Sequence, residues 1–204
     1  MKQPPLLDVD PTARRDEDFY ATPRWQTHAL LRRICRLGSW HGLRFFEPCA
    51  GDGAIVRELP RHWHVTTNDI VAREPLLPDF LLDARRAESW DRFGSFDVIG
   101  TNLPFDVAFD IAPYAYSHAD GLLALLLRLS WLEPTEDRGP WLRDHRPTSL
   151  IVLPRTDYRG NGKTDSVTSA WFLWDRGLGL GLPATDFVTK DERDELIAKY
   201  GKAA

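Results

Sequence analysis

What most constrains this chain is an alternation along its length. Short apolar runs of strand size occur at Leu43–Phe46, His64–Thr67, Phe80–Leu82, Phe96–Gly100, Leu122–Leu127, Ser149–Leu153 and Ala170–Trp174. Between them lie stretches with helical periodicity, near Ala54–Leu59, Ala84–Trp90, Val107–Tyr116 and Pro140–His145. Ahead of the first run, Trp25, Ala29, Leu30, Ile34 and Leu37 keep a helical period from Pro23 until Gly38 stops it. Near the other end, Thr189-Lys-Asp-Glu192 is a capping-box pattern that opens a last helix reaching about Tyr200. Strand and helix in alternation predict an α/β domain around a largely parallel sheet. Seven strand candidates suit a doubly wound sheet, in which ligands bind beyond the C-terminal strand ends where the winding reverses.

A length of 204 residues, 43% of them apolar, suffices for one domain with a full core and not for two large ones. Residues 1–17 are rich in Pro and charge and read as a loosely ordered arm, which leaves 18–204 as a single domain. A net charge of -4 neither announces nor excludes a nucleic-acid partner, because phosphate contacts depend on local patches. The first residues lack the apolar core of a signal peptide, and no apolar run approaches the ~20 residues of a spanning helix. The chain therefore reads as soluble and cytoplasmic, without a membrane partner. Cys35 and Cys49 make no disulfide framework and lack metal-ligand spacing, so no metal is expected.

The first strand runs into Phe46-Glu-Pro-Cys-Ala-Gly-Asp-Gly53. Two glycines one residue apart let the backbone turn tightly and bring amide groups close to a ligand. A dinucleotide turn would need another glycine at position 56, where this chain has Val56, which argues against a nicotinamide enzyme. The second strand ends at Asp69, placed to accept hydrogen bonds from ribose hydroxyls, and Asp83 follows the third. Each acid alone suits a helix cap equally well. Acids at successive strand ends after a glycine turn point to a nucleoside cofactor.

Glu47-Pro-Cys-Ala-Gly-Asp-Gly53 resembles the first motif of class I S-adenosylmethionine-dependent methyltransferases, and Asp69 and Asp83 match their second and third. After the fourth strand, Asn102-Leu-Pro-Phe105 resembles the Asn-Pro-Pro-Tyr/Phe signature of the amino methyltransferases, and is closer still to the Asn-Leu-Pro-Tyr form of ribosomal adenine dimethyltransferases. An exocyclic amine conjugated to its ring is a poor nucleophile. The Asn102 side-chain carbonyl and the Leu103 backbone carbonyl can accept both of its hydrogens and favour a lone pair aimed at the methyl group. Pro104 stiffens the turn, and Phe105 offers a face for base stacking. Taken alone, the tetrapeptide is also an ordinary turn ending a strand. Phe19-Tyr-Ala-Thr-Pro23 resembles the Tyr-x-Thr-Pro element that precedes the first motif in adenine methyltransferases, and it also reads as an N-cap followed by a first-turn proline.

The resemblance, which runs from Phe19 to Trp174, implies a Rossmann-like seven-stranded, mostly parallel sheet with an antiparallel last strand. It implies S-adenosylmethionine as cofactor, held by Tyr20, Thr22 and Pro23, by Glu47, Pro48, Ala50, Gly51 and Gly53, by Asp69 and Ile70, and by Asp83, Ala84 and Asn102. The motif order is the gamma type. Leu153-Pro-Arg-Thr-Asp-Tyr-Arg-Gly160 is similar to the segment between the sixth and seventh strands of phage and prophage adenine methyltransferases. There Tyr158 matches an aromatic residue that packs on a flipped base, with Arg155, Arg159 and Lys163 near phosphate. Trp171, Phe172 and Trp174 read as core. The stretch Trp131–Pro147, with Arg138, Arg143 and Arg146 against Glu136, Asp137 and Asp144, is the one candidate for target recognition, and equally an ordinary connection.

The expected partner is nucleic acid, DNA foremost and RNA open because of Leu103, with the chain a monomer or a homodimer. Adenine N6 is the expected target. Alternatives are an rRNA adenine, cytosine N4, a protein glutamine amide, or a silent methyltransferase-fold binding module.

Overall fold

The computed structural model describes residues 21–34, 37, 40–156 and 167–201. Eight strands form one sheet: β1 (Arg44–Glu47), β2 (His64–Asp69), β3 (Phe80–Leu81), β4 (Phe96–Asn102), β5 (Ala119–Arg128), β6 (Ser149–Val152), β7 (Ser169–Asp175) and β8 (Thr185–Phe187). Their order is β3-β2-β1-β4-β5-β7-β6-β8. All neighbours are parallel except around β7, which runs antiparallel to both β5 and β6. The expected antiparallel strand is therefore present, but it is not the last. β8 follows and joins the far edge beside β6. Its three residues, Thr185-Asp-Phe187, are largely exposed and carry no apolar run to betray them.

The helices are α1 (Arg24–Arg33), α2 (Ala87–Phe93), α3 (Ala108–His118), α4 (Arg138–Asp144) and α5 (Lys190–Tyr200). The capping pattern is realised at α5, where the Glu192 N–H donates to Thr189 Oγ1 at 3.1 Å. The helix expected over Ala54–Leu59 is absent: only a 3-10 turn, Val56–Glu58, forms. Pro60 explains this, because a residue before proline is pushed out of the helical region, and Leu59 is extended at φ -72, ψ 153. The few residues left are too short a span to sustain a helix.

The strands alternate between two cores. Leu122, Ala124 and Leu126 of β5 join Phe45, Val98, Trp171 and Leu173 under α1. Leu123, Leu125 and Leu127 join Phe46, Ile99 and Phe172 under α2 and α3. Both faces are covered, which is why the strands read as continuous apolar runs. Trp171, Phe172 and Trp174 are fully enclosed, as expected of core residues. α1 is tied to α5 and β8 by charge: Arg33 pairs with Asp186 at 2.7 Å and with Glu192, and Arg32 pairs with Glu195 at 2.9 Å. Arg24 and His28 both reach Glu58, each at 2.7 Å, and fasten α1 to the turn behind β1.

Gly100 sits mid-β4, and a Cβ there would lie 2.7 Å from the buried Phe45 ring. Gly100→Ala is expected to cost about 1–3 kcal/mol by overpacking. A urea titration checks this, and an unchanged midpoint would mean that the ring yields freely.

Candidate active site

The winding of the sheet reverses between β1 and β4, which lie side by side. The glycine turn leaves the C-terminal end of β1, and Asn102 closes the neighbouring end of β4. Gly51 and Gly53 both adopt positive φ, +55° and +81°, as a turn this tight requires. The Gly51 N–H donates to Asp69 Oδ2 at 2.7 Å, and the Val71 N–H donates to Asp69 Oδ1 at 3.1 Å. Asp69 thus anchors the turn to the end of β2. Each of its oxygens keeps a further lone pair for another donor. Ile70, beside it, is half exposed. Pro48, Ala50 and Ala84 are buried in the wall around the turn.

Sequence reasoning missed Asn68. Its fully buried amide donates from Nδ2 to the carbonyls of Pro48 (2.9 Å) and Leu82 (3.0 Å), and its Oδ1 accepts from the Leu82 N–H (3.0 Å). One side chain therefore joins the ends of β1, β2 and β3. Its only signal was a polar residue at the inner end of an apolar run.

Glu47 is 2% exposed, and its Oε2 has no hydrogen-bond partner among the described residues. Burial, and then the nearby Asp69 and Asp52 charges, push its carboxyl well above the ordinary range; the Val56 N–H opposes this only in part. The turn leads into a 3-10 turn, and the charges nearest Glu47 are the carboxylates of Asp69 and Asp52, with Arg57 opposing them in part. Carboxylates at this density disfavour phosphate and suit a ligand carrying positive charge. Asp83 is held by Arg85, with Nε to Oδ1 at 2.8 Å and Nη2 to Oδ2 at 2.7 Å, and this pair lowers its pKa. It also accepts from the Arg85 N–H, in the turn that leads to α2.

On the β4 side, the Asn102 Nδ2 donates to Thr22 Oγ1 at 3.1 Å. Thr22 is buried and does not cap α1. Pro23 takes the N-cap position, without a side-chain cap bond. Leu103 is buried, Pro104 is half-buried, and Phe105 opens a short 3-10 turn. The Arg128 guanidinium lies 4.4 Å from the Phe105 ring centre. Arg128 was also missed, although a cation ending the apolar strand β5 beside β4 is itself a signal.

Arg155 is exposed, on the segment after β6. Tyr20, Tyr158, Arg159 and Lys163 lie outside the described residues. In Trp131–Pro147, Trp141 packs edge-on to Trp131 and Trp174, Arg138 donates to the Glu133 carbonyl, and Arg143 pairs with Asp144. A cavity of about 250 Å³ opens at the far end of β7, lined in part by Asp175. That carboxylate accepts from the N–H groups of Gly177, Leu178, Gly179 and Leu180, so it anchors a loop.

No family model matches the chain, and no curated protein matches it. Solved structures do. The methyltransferase subunit of a type I restriction-modification system from Streptococcus thermophilus superposes with a TM-score of 0.64 at 12% identity, over 89% of this chain and 53% of that one. The fold is that of the class I methyltransferases. A protein from Pyrococcus horikoshii, whose suggested activity is RNA methylation, gives a TM-score of 0.59 at 14% identity, over 78% of this chain and 86% of its own. A dimethyladenosine transferase from Plasmodium falciparum gives 0.52 at 14%, over 81% and 65%. This chain spans about half the length of the Streptococcus subunit. Within the class I fold, the glycine turn and Asn102 occupy adjacent strand ends at the reversal.

The buried Glu47 carboxyl carries a stability consequence. A folded-state pKa above the unfolded one means that the native protein binds the extra proton, so this contribution falls as pH rises past the unfolded value near 4.3. Glu47→Gln is expected to remove that loss, and the stability difference in its favour should grow between pH 5 and 8. Each kcal/mol recovered appears as roughly 2–4 °C in melting temperature. A difference that stays flat across this range would show Glu47 ionised without penalty.

Proposed function

We propose that this chain transfers a methyl group from S-adenosylmethionine to the exocyclic amine of a nucleic-acid base, adenine N6 in DNA foremost. The observation that carries the reading is Asn102-Leu-Pro-Phe105 at the end of β4, directly beside a glycine turn walled by Glu47 and Asp69. The orphaned Glu47 Oε2 fits the cofactor, because that molecule brings an ammonium and a sulfonium into a space crowded with carboxylates. Asp69 and Asp83 suit its ribose hydroxyls and adenine amine. The gamma-type motif order and the likeness to the Plasmodium dimethyladenosine transferase support an adenine amine as target, and the likeness to the Streptococcus restriction-modification methyltransferase subunit supports methyl transfer.

S-adenosylmethionine supplies a methyl group on a sulfonium, already electrophilic. Asn102 Oδ1 and the Leu103 carbonyl accept the two amine hydrogens and draw the lone pair out of conjugation. Phe105, backed by Arg128, stacks the base after it leaves its helix, which costs a few kcal/mol. As the nitrogen–methyl bond forms, the sulfur–methyl bond would break to leave a neutral thioether, and the nitrogen would release a proton to water. Alignment carries the step, so no strongly basic side chain is required. In this reading Tyr158 covers the other side of the base, and Arg155, Arg159 and Lys163 meet phosphate.

RNA adenine is the second reading, favoured by Leu103 in place of proline and by the likeness to the Pyrococcus protein. Labelled-methyl transfer to unmethylated duplex DNA, single-stranded DNA and rRNA, followed by nucleoside mass analysis, separates the two. N6-methyladenine is expected in duplex DNA. Its appearance in rRNA alone would favour the second reading, and transfer to none of the three would overturn both. Asn102→Ala should lower turnover roughly 10²–10³-fold with cofactor affinity nearly intact. Asp69→Ala should weaken cofactor affinity first, and calorimetric titration distinguishes the two variants.

A further inference from the structure

We propose that the Glu47 carboxyl gives up a proton to solvent when a cationic group of S-adenosylmethionine enters beside it, so that cofactor binding and proton release are one event. The inference rests on the cofactor role proposed for this turn. S-adenosylmethionine carries an ammonium and a sulfonium against a single carboxylate, and so brings net positive charge. Glu47 closes β1, where the chain enters the glycine turn. It is 2% exposed, and its Oε2 meets no hydrogen-bond partner among the described residues. An oxygen buried in that state carries negative charge only at high cost. In the free protein the carboxyl therefore keeps its proton, and a positive charge alongside removes the reason to keep it.

The neighbouring charges point the same way. Asp69 acts on Glu47 from the end of β2 and Asp52 from the turn itself, and both oppose a further negative charge. Arg57, in the 3-10 turn, offsets them in part and is itself paired with Asp52 at 3.3 Å. Burial keeps the Cys49 thiol neutral, and Asp83 is held by Arg85. β4 brings no ionisable side chain between Val98 and Asn102, and on α1 both Arg24 and His28 are engaged with Glu58. Asp69 accepts from the N–H groups of Gly51 and Val71, which support its charge. Glu47 is left as the carboxyl with a proton to exchange. Its O–H bond breaks, the carboxylate keeps the electron pair, and the proton passes to water. A proton lost on binding makes affinity rise with pH wherever free Glu47 is protonated, by up to about tenfold per pH unit, and level off above that range.

The test uses the full chain. Calorimetric titration with S-adenosylmethionine, repeated in phosphate and in Tris, counts released protons from the dependence of the heat on the buffer's ionisation enthalpy. Scanned over about pH 5.5–8, the wild type should at its maximum release about one proton more than Glu47→Gln, whose melting curve checks its folding. Glu47→Gln should also bind the cofactor more weakly, with the gap widening as pH rises towards the point where free Glu47 ionises. Infrared difference spectra should lose a protonated-carboxyl band on cofactor addition in the wild type and not in Glu47→Gln. S-adenosylhomocysteine, which keeps the ammonium and lacks the sulfonium, separates the two charges. Equal release with both molecules assigns the exchange to the ammonium, and release confined to S-adenosylmethionine assigns it to the sulfonium. Equal proton counts in wild type and Glu47→Gln, or a carboxyl band that survives binding, overturn the exchange. A wild type that does not bind the cofactor overturns the cofactor reading and this inference together. One that binds, releases the proton and methylates no polynucleotide overturns the base-methylation reading alone.

Discussion

The β1–β2 end of the candidate site depends on one buried amide. Asn68 spends its donors and its acceptor on Pro48 and Leu82, and so locks the ends of three adjacent strands into a common register. Its own carbonyl takes the Ala50 N–H at 2.9 Å, inside the glycine turn. That tie and the Gly51–Asp69 bond together hold the turn against the end of β2. An amide buried this completely is stabilising only when every polar atom is matched, and here each one is. The neighbouring Glu47 is the opposite case, a buried acid left incompletely satisfied. Fully matched and unmatched polar groups thus stand side by side, the first holding the scaffold and the second left with an oxygen to satisfy.

Much of this was legible in the linear sequence, for reasons that differ by element. β1, β4, β5 and β7 announced themselves because both faces of the sheet are covered, which leaves no polar alternation. β8 did not, because its pairing with β6 rests on backbone bonds and not on apolar side chains. The missing helix after the glycine turn was a matter of chain stiffness at Pro60, which periodicity alone does not weigh. In the site, Asn102, Asp69 and the glycines stood out because the chemistry allows few residue types there. Asn68 and Arg128 did not, since a lone polar residue at the edge of an apolar run is ordinary until its neighbours are known.

The two sides of the site are built from different materials. Backbone amides and carboxylates line the β1–β2 side, and an aromatic ring with a guanidinium against it lines the β4–β5 side. The first suits a small, polar, cationic molecule, and the second a flat ring with charge nearby. They meet where the sheet reverses, the one place where two adjacent parallel strands send their following segments to opposite faces and leave a gap between them.

The ion pairs between α1 and α5 bear on the order in which the protein is made. Among the described residues α1 precedes every strand, and Thr22, just ahead of its N-cap Pro23, meets Asn102. The charges that hold α1 in place, on Asp186, Glu192 and Glu195, come after β7 in the sequence. A nascent chain would therefore hold β1 to β5 before Asp186, Glu192 and Glu195 could reach Arg32 and Arg33, so the ion pairs on α1 form after that part of the sheet.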